Sequence, residues 1–211
     1  MEMSFNWVST LSYFGLALKK CTLSPARRKQ VRLEIPGVDG YVDLLKNAET
    51  STYESRTVTA IFEIVSNCAR DTIDRLMDEL DGRIMPLTLP NDSSRYMVGS
   101  IRLSYGSCEI GAEVCVVATC GPWRVSIQPV EVEIAAAESA QTYKLYNSGK
   151  RRAVPEIEIP EGDVTISVGD VTKTYSAGSH FLPEFSIPGR DTLELNISGA
   201  ALTLSYREAI L

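Results

Sequence analysis

Residues Tyr53 to Gly82 read YESRTVTAIFEIVSNCARDTIDRLMDELDG. The first part, up to Val65, is rich in β-branched residues and alternates well, the pattern of a half-buried strand. At Ser66 the period changes. Ser66-Asn67 offers an N-cap, and Ala69, Ile73, Leu76, Met77 and Leu80 follow at helical spacing. Arg70, Asp71, Asp74, Arg75 and Asp78 fall outside that stripe. Gly82 fits the position just past a helix end, where a positive φ is easily taken. This stretch predicts one strand followed by one helix, about 67–81, laid on a sheet.

Outward from it, strand signals dominate. On the N-terminal side, Tyr13–Lys19 reads as a strand, and Gln30–Ile35 and Gly40–Leu45 flank the double turn Pro36-Gly37 and Asp39-Gly40. On the C-terminal side, Ile84–Leu89 and Tyr96–Tyr105 flank the turn-rich PNDSS, and Glu113–Cys120 ends at Gly121-Pro122. Residues 123–133 alternate again. The bland IAAAESAQ, Ile134 to Gln141, suggests a domain boundary. Beyond it come Thr142–Tyr146, Ala153–Ile159, Val164–Val168, Val171–Tyr175, Phe181–Ile187, Thr192–Ile197 and Ala201–Tyr206. They are separated by turn signals such as Asn147-Ser148-Gly149, Glu161-Gly162-Asp163, Gly169-Asp170 and Ser198-Gly199. Short strands at this spacing predict a β-sandwich. The expected division is 1–132 and 133–211, in a chain that is mainly β with one helix.

Bulk properties exclude several classes. The 211 residues are 44% hydrophobic and 23% charged, a globular balance. The net charge is −6, unlike a uniformly basic nucleic-acid binder. Residues 131–211 carry 7 Lys+Arg against 12 Asp+Glu, so most of the acidity is C-terminal. No apolar run approaches the roughly 20 residues of a membrane span, and the acidic opening MEMSFNWVSTLSYFGLAL does not resemble a signal peptide. The cysteines Cys21, Cys68, Cys108, Cys115 and Cys120 are odd in number and lack CxxC spacing, which favours reduced thiols over metal ligands or a disulfide framework.

Catalytic patterns do not assemble. His180 is the one histidine, in AGSHF, and no nucleophile motif accompanies it. The glycines form neither GxGxxG nor a P-loop. Asp71, Asp74, Asp78, Glu79 and Asp81 interleave with Arg70 and Arg75 as a solvated helix surface would. Arg27-Arg28-Lys29 and Lys150-Arg151-Arg152 lack interleaved aromatics. Tyr143, Tyr146, Tyr175 and Tyr206 leave a sugar platform open as a minority reading. No catalytic residue, cofactor or metal is assigned.

The order of motifs resembles the N-terminal domain of the phage distal tail protein (Dit) family, the hub proteins of long non-contractile tails. The residues that carry the resemblance are Ile35-Pro36-Gly37, Gly40 and Asp43 in the double turn; Tyr53 and Arg56 at the strand start; and Gly82 after the helix. Asp92, Tyr96 and Gly99 in a hairpin, and Cys120, Pro122 and Trp123 at a strand end, complete it. YNSGKRRAVPEIEI and LELNISGAALTLSYREAIL resemble the family's C-terminal galectin-like β-sandwich. The resemblance runs from about Leu11 to Leu211, with no inserted carbohydrate-binding module.

It implies an N-terminal β-sandwich or barrel-like ring domain and a galectin-like sandwich, in a virion structural protein made in the host bacterial cytoplasm and carried at the tail tip, not an enzyme. Six copies would form a ring around a channel. Its partners would be the tail tube protein, the tail-associated lysin or tip protein, the tape measure protein and receptor-binding or peripheral baseplate proteins. DNA would be met only in transit, and membrane not at all. Two alternatives stay open: a lectin-like carbohydrate-binding module, and a ring component of a related tail-like injection system.

Overall fold

The computed structural model describes residues 2–34, 36–37, 39, 42–43 (backbone) and 52–211. It divides into two compact units, Met1–Pro122 and Trp123–Leu211.

The first unit contains β1 (Ser4–Phe5), β2 (Val8–Ser9), β3 (Leu16–Leu23), β4 (Arg32–Leu33), β5 (Val42–Asp43) and β6 (Arg56–Ile64). After these come α1 (Ala69–Glu79), β7 (Ile84–Leu89), β8 (Asp92–Tyr105) and β9 (Glu113–Cys120). Its sheet runs β2-β1-β7-β8-β9-β6-β3 with antiparallel neighbours, and β4 pairs with β5 separately. Alternation does what the sequence predicts on β6: Val58, Ala60, Phe62 and Ile64 are buried while their odd-numbered neighbours face away. Met97 and Ile101 on β8, and Val114, Val116 and Ala118 on β9, join the same core.

Helix α1 adds Ala69, Ile73 and Leu76 to that core, and Leu80 caps its end. Met77, on the predicted stripe, is exposed instead. The N-cap is Cys68, not Ser66-Asn67. The Ser66 hydroxyl accepts from the Cys68 N–H at 3.2 Å, which holds the entry turn one residue early. Gly82 takes φ +72° and its N–H donates to Ile101 O, so the chain leaves the helix straight onto the sheet. The first long strand begins at Leu16 rather than Tyr13, because residues 9–15 coil through Tyr13 N–H to Ser9 O and Gly15 N–H to Leu11 O bonds.

The second unit holds β10 (Arg124–Ser126), β11 (Val130–Ile134), β12 (Ala137–Asn147), β13 (Glu156–Val168) and β14 (Val171–Phe181). A 3-10 turn (Pro183–Phe185) precedes β15 (Asp191–Gly199), β16 (Leu202–Tyr206) and β17 (Ala209–Ile210). β10 pairs with β17. Several predicted turns are not turns. Glu161-Gly162-Asp163 lies inside the continuous β13. Ser198-Gly199 does not reverse the chain: β15 and β16 run one after the other along the same partner, Val164–Ser167 against Gly199–Asn196 and Glu156–Glu158 against Ser205–Thr203. β11 and β12 run likewise along β16 and β15, so IAAAESAQ lies within this unit, between Ile134↔Leu202 and Ala137↔Gly199. Phe181–Ile187 forms the 3-10 turn instead of a full strand, with an isolated Ala153↔Ile187 bridge.

The second unit is therefore one sheet of long strands broken at a common line. At that line the buried positions change parity. Ile157 and Ile159 give way to Val164 and Ile166, and Leu195 and Ile197 to Leu202, Leu204 and Tyr206. A one-residue slip in a strand moves its side chains to the other face, and a bulge both supplies the slip and bends the strand. Register shifts sit there in β12 and β13. Side chains from both ends of the bent strands join one core, which is how one sheet covers its own apolar face.

Candidate functional site: packing rows and an exposed aromatic hairpin

Residues of the N-terminal motif that are far apart in sequence lie in one row. Arg56 pairs with Cys120, and Cys120 with Gly99. Directly opposed residues share a face of the sheet. Gly99 has no room for a side chain: a Cβ there would lie 2.5 Å from Cys120 Sγ and 2.9 Å from Thr119 O. Cys120 is 1% exposed, and burial pushes its thiol up to about 11, with the Arg56 charge opposing. It is a neutral packing group, not a nucleophile. Arg56 is itself buried and donates from Nε to Ser24 O at 2.8 Å, tying the strand start to the end of β3.

The other motif residues scatter around this row. Tyr53 bridges to Arg28, and Asp92 opens β8 and pairs with Arg95 at 3.2 Å. Tyr96 packs edge-on against Trp7 with ring centroids 5.2 Å apart. Pro122 and Trp123 are half-buried and stand on either side of the division between units. In the double turn, Pro36 and Gly37 are exposed, Gly37 has φ +84°, and Asp43 is in register with Arg32. Ile35 and Gly40 lie outside the described residues.

Sequence reasoning passed over Asn147, which is fully buried in the second unit. Its Nδ2 donates to Arg151 O at 2.8 Å and Pro188 O at 3.1 Å, and its Oδ1 accepts from Gly149 N–H at 2.9 Å. One amide thus closes two loops. Gly149 fits because a Cβ there would lie 2.7 Å from Ala209 N and O. Tyr206 Oη donates to Tyr146 O at 2.7 Å, and the Arg207 guanidinium to Ser126 O at 3.0 Å. The Asn-Ser-Gly and Tyr-Arg signals visible in the sequence meet at this end of the unit.

His180 lies in β14, its Nε2 2.7 Å from Ser176 O and its ring 5.3 Å from Tyr175. The Tyr175 hydroxyl donates to Glu184 at 2.6 Å, and Lys173 pairs with the same carboxylate at 2.7 Å. Hydrogen bonds from Lys173 and then Tyr175 hold the Glu184 carboxyl down to about 2. Tyr175 is pushed well above its usual range, by desolvation first and by Glu184 second. A phenol and a carboxylate locked in opposite states, with a lysine already satisfied, pin β14 to the 3-10 turn. Among the described residues no group of His, Cys, Asp and Glu is arranged to hold a metal ion.

The outer face of the first sheet, opposite the core, carries two features. At one end, Asn6 (φ +48°) and Trp7 (φ +68°) form the two-residue turn between β1 and β2. Positive φ at both centres is the hairpin geometry, but a bulky residue there is an outlier. Trp7 is 55% exposed, and Ile84 (74%) and Val98 (47%) stand exposed on β7 and β8, where Pro86 opposes Val98. At the other end of β8, roughly 20 Å away at ~3.3 Å per residue, Ile61, Cys115 and Ser104 form a row. With Tyr105, Ala112 and Glu113 they line an open depression of about 470 Å³.

A mainly β chain of two units, with its single α-helix in the first, defines the fold class. That fold is shared by a phage tail hub: the crystal structure of SPP1 Dit (gp 19.1), described as a paradigm of the hub adsorption apparatus in phages infecting Gram-positive bacteria, matches with a TM-score of 0.69. The match covers 100% of this chain and 99% of that one at 14% identity. The chain has the Dit fold. No family model matches it, and no curated protein matches it in sequence.

Proposed function

We propose that this chain is a structural component of a phage tail tip, a hub built of repeated copies between the tail tube and the adsorption apparatus. The single observation that carries this reading is the end-to-end correspondence with SPP1 Dit, which extends over both units. The motif residues support it, because Arg56, Gly99, Cys120 and Asn147 spend their chemistry on packing and loop closure. On this reading six copies close a ring, the tail tube protein abuts one side, the lysin or tip protein the other, and the tape measure ends nearby. DNA passes through without being gripped, consistent with an acidic chain that offers phosphates little counterion release.

The test is the mass of the purified protein across a concentration series, alone and with the neighbouring tail proteins. A closed oligomer, with an annular particle by electron microscopy, supports the hub. A chain that remains a monomer in all these mixtures overturns it.

A further inference from the structure

We infer that two neighbouring hub copies meet through the outer face of the first sheet: the Trp7–Ile84–Val98 patch of one copy seats in the depression lined by Ile61, Cys115 and Tyr105 of the next. The inference rests on the hub reading and adds the contact that would close it.

The patch is costly where it stands. Trp7 holds a backbone conformation that suits Asn or Gly, and its only ring partner among the described residues is Tyr96. A strained residue that persists in the open asks for a use. Ile84, at 74% exposure on a sheet whose other face is the core, asks the same. Exposed apolar side chains gathered in this way mark interaction surfaces.

A second copy is the occupant because the complementary surface is present on the same unit. The depression lies on the same face but at the far end of β8, so a chain cannot fill its own. Patch and depression differ, so the contact is heterologous, the kind that generates rings when the rotation closes. Charge agrees. Arg83 adjoins Ile84 and is exposed, and Arg95 adjoins Tyr96, although Arg95 already pairs with Asp92. At the depression, Glu63 and Glu113 share the single Lys19, at 3.3 and 3.4 Å, and leave one negative charge in excess. Cations beside the patch thus meet an acidic rim.

The native Cys115 inside the depression makes the contact testable by cross-linking. In full-length chain with Cys68→Ser and Cys108→Ser, which removes the exposed thiols, Ile84→Cys is introduced and the assembled protein is mildly oxidised. The expected result is a ladder of covalent oligomers that disappears when Cys115→Ser is added. In parallel, Ile84→Glu in the wild-type chain should raise the concentration needed for assembly at least tenfold, with an unchanged circular dichroism spectrum. Oligomers that form as readily with Ile84→Glu, or cross-links that survive Cys115→Ser, overturn this interface and leave the hub intact. A wild-type chain that never assembles overturns both.

Discussion

Gly99 shows how tightly one position can be set by its neighbours. Its backbone needs no unusual φ. What forbids a side chain is Cys120 Sγ and the Thr119 carbonyl across the strand. Gly99→Ala should therefore destabilise the first unit by about 2 kcal/mol, in the range of core overpacking, measured by urea unfolding. Adding Cys120→Ala should recover only part of the loss, because the carbonyl stays. Asn147 is the converse, a polar group whose removal strands its partners. Asn147→Ala leaves two carbonyls and the Gly149 N–H without their amide partner, at about 3 kcal/mol for this many buried groups. A melting temperature within a degree of wild type would show that water replaces the amide.

At the scale of elements, the bend in the second unit depends on small residues. Gly199 combines φ +111° with a virtual Cβ only 2.3 Å from Asp163 O. Since that oxygen belongs to the partner strand's backbone, Gly199→Ala must open the β13–β15 ladder. It should cost more than Gly162→Ala, whose Cβ meets the movable Ala200 side chain at 3.1 Å. Comparing thermal unfolding of the two variants checks the order. The tie from β14 to the 3-10 turn should respond to acid. Glu184 titrates lower folded than unfolded, so its contribution is present above its usual value of 4.5 and lost as pH falls to about 2. Because the carboxylate is near solvent, the effect should stay below about 1 kcal/mol. Glu184→Gln should flatten the acid limb of the stability–pH curve in that window.

For the molecule as a whole, the two units have separate cores, one from Met3 to Cys120 and one from Ile134 to Tyr206. A fragment comprising 123–211 should thus fold by itself, with dispersed amide resonances and a cooperative thermal transition; a disordered spectrum would show that the second core needs the first. Domains of this size are marginal but viable.

The sequence by itself determined the mainly β character, the single helix and the alternating core of β6, because these follow from the period of apolar residues along a short stretch of chain. It also held the Gly99 and Cys120 signals, though not their adjacency. Only the tertiary structure decided where the chain continues and where it turns. Glu161-Gly162 and Ser198-Gly199 have turn chemistry, yet they bend strands, because the partner strand, not local preference, sets whether a glycine reverses the chain. The same reason hid the outer-face patch: Trp7, Ile84 and Val98 are ordinary strand and turn residues until pairing between β1, β7 and β8 sets them side by side.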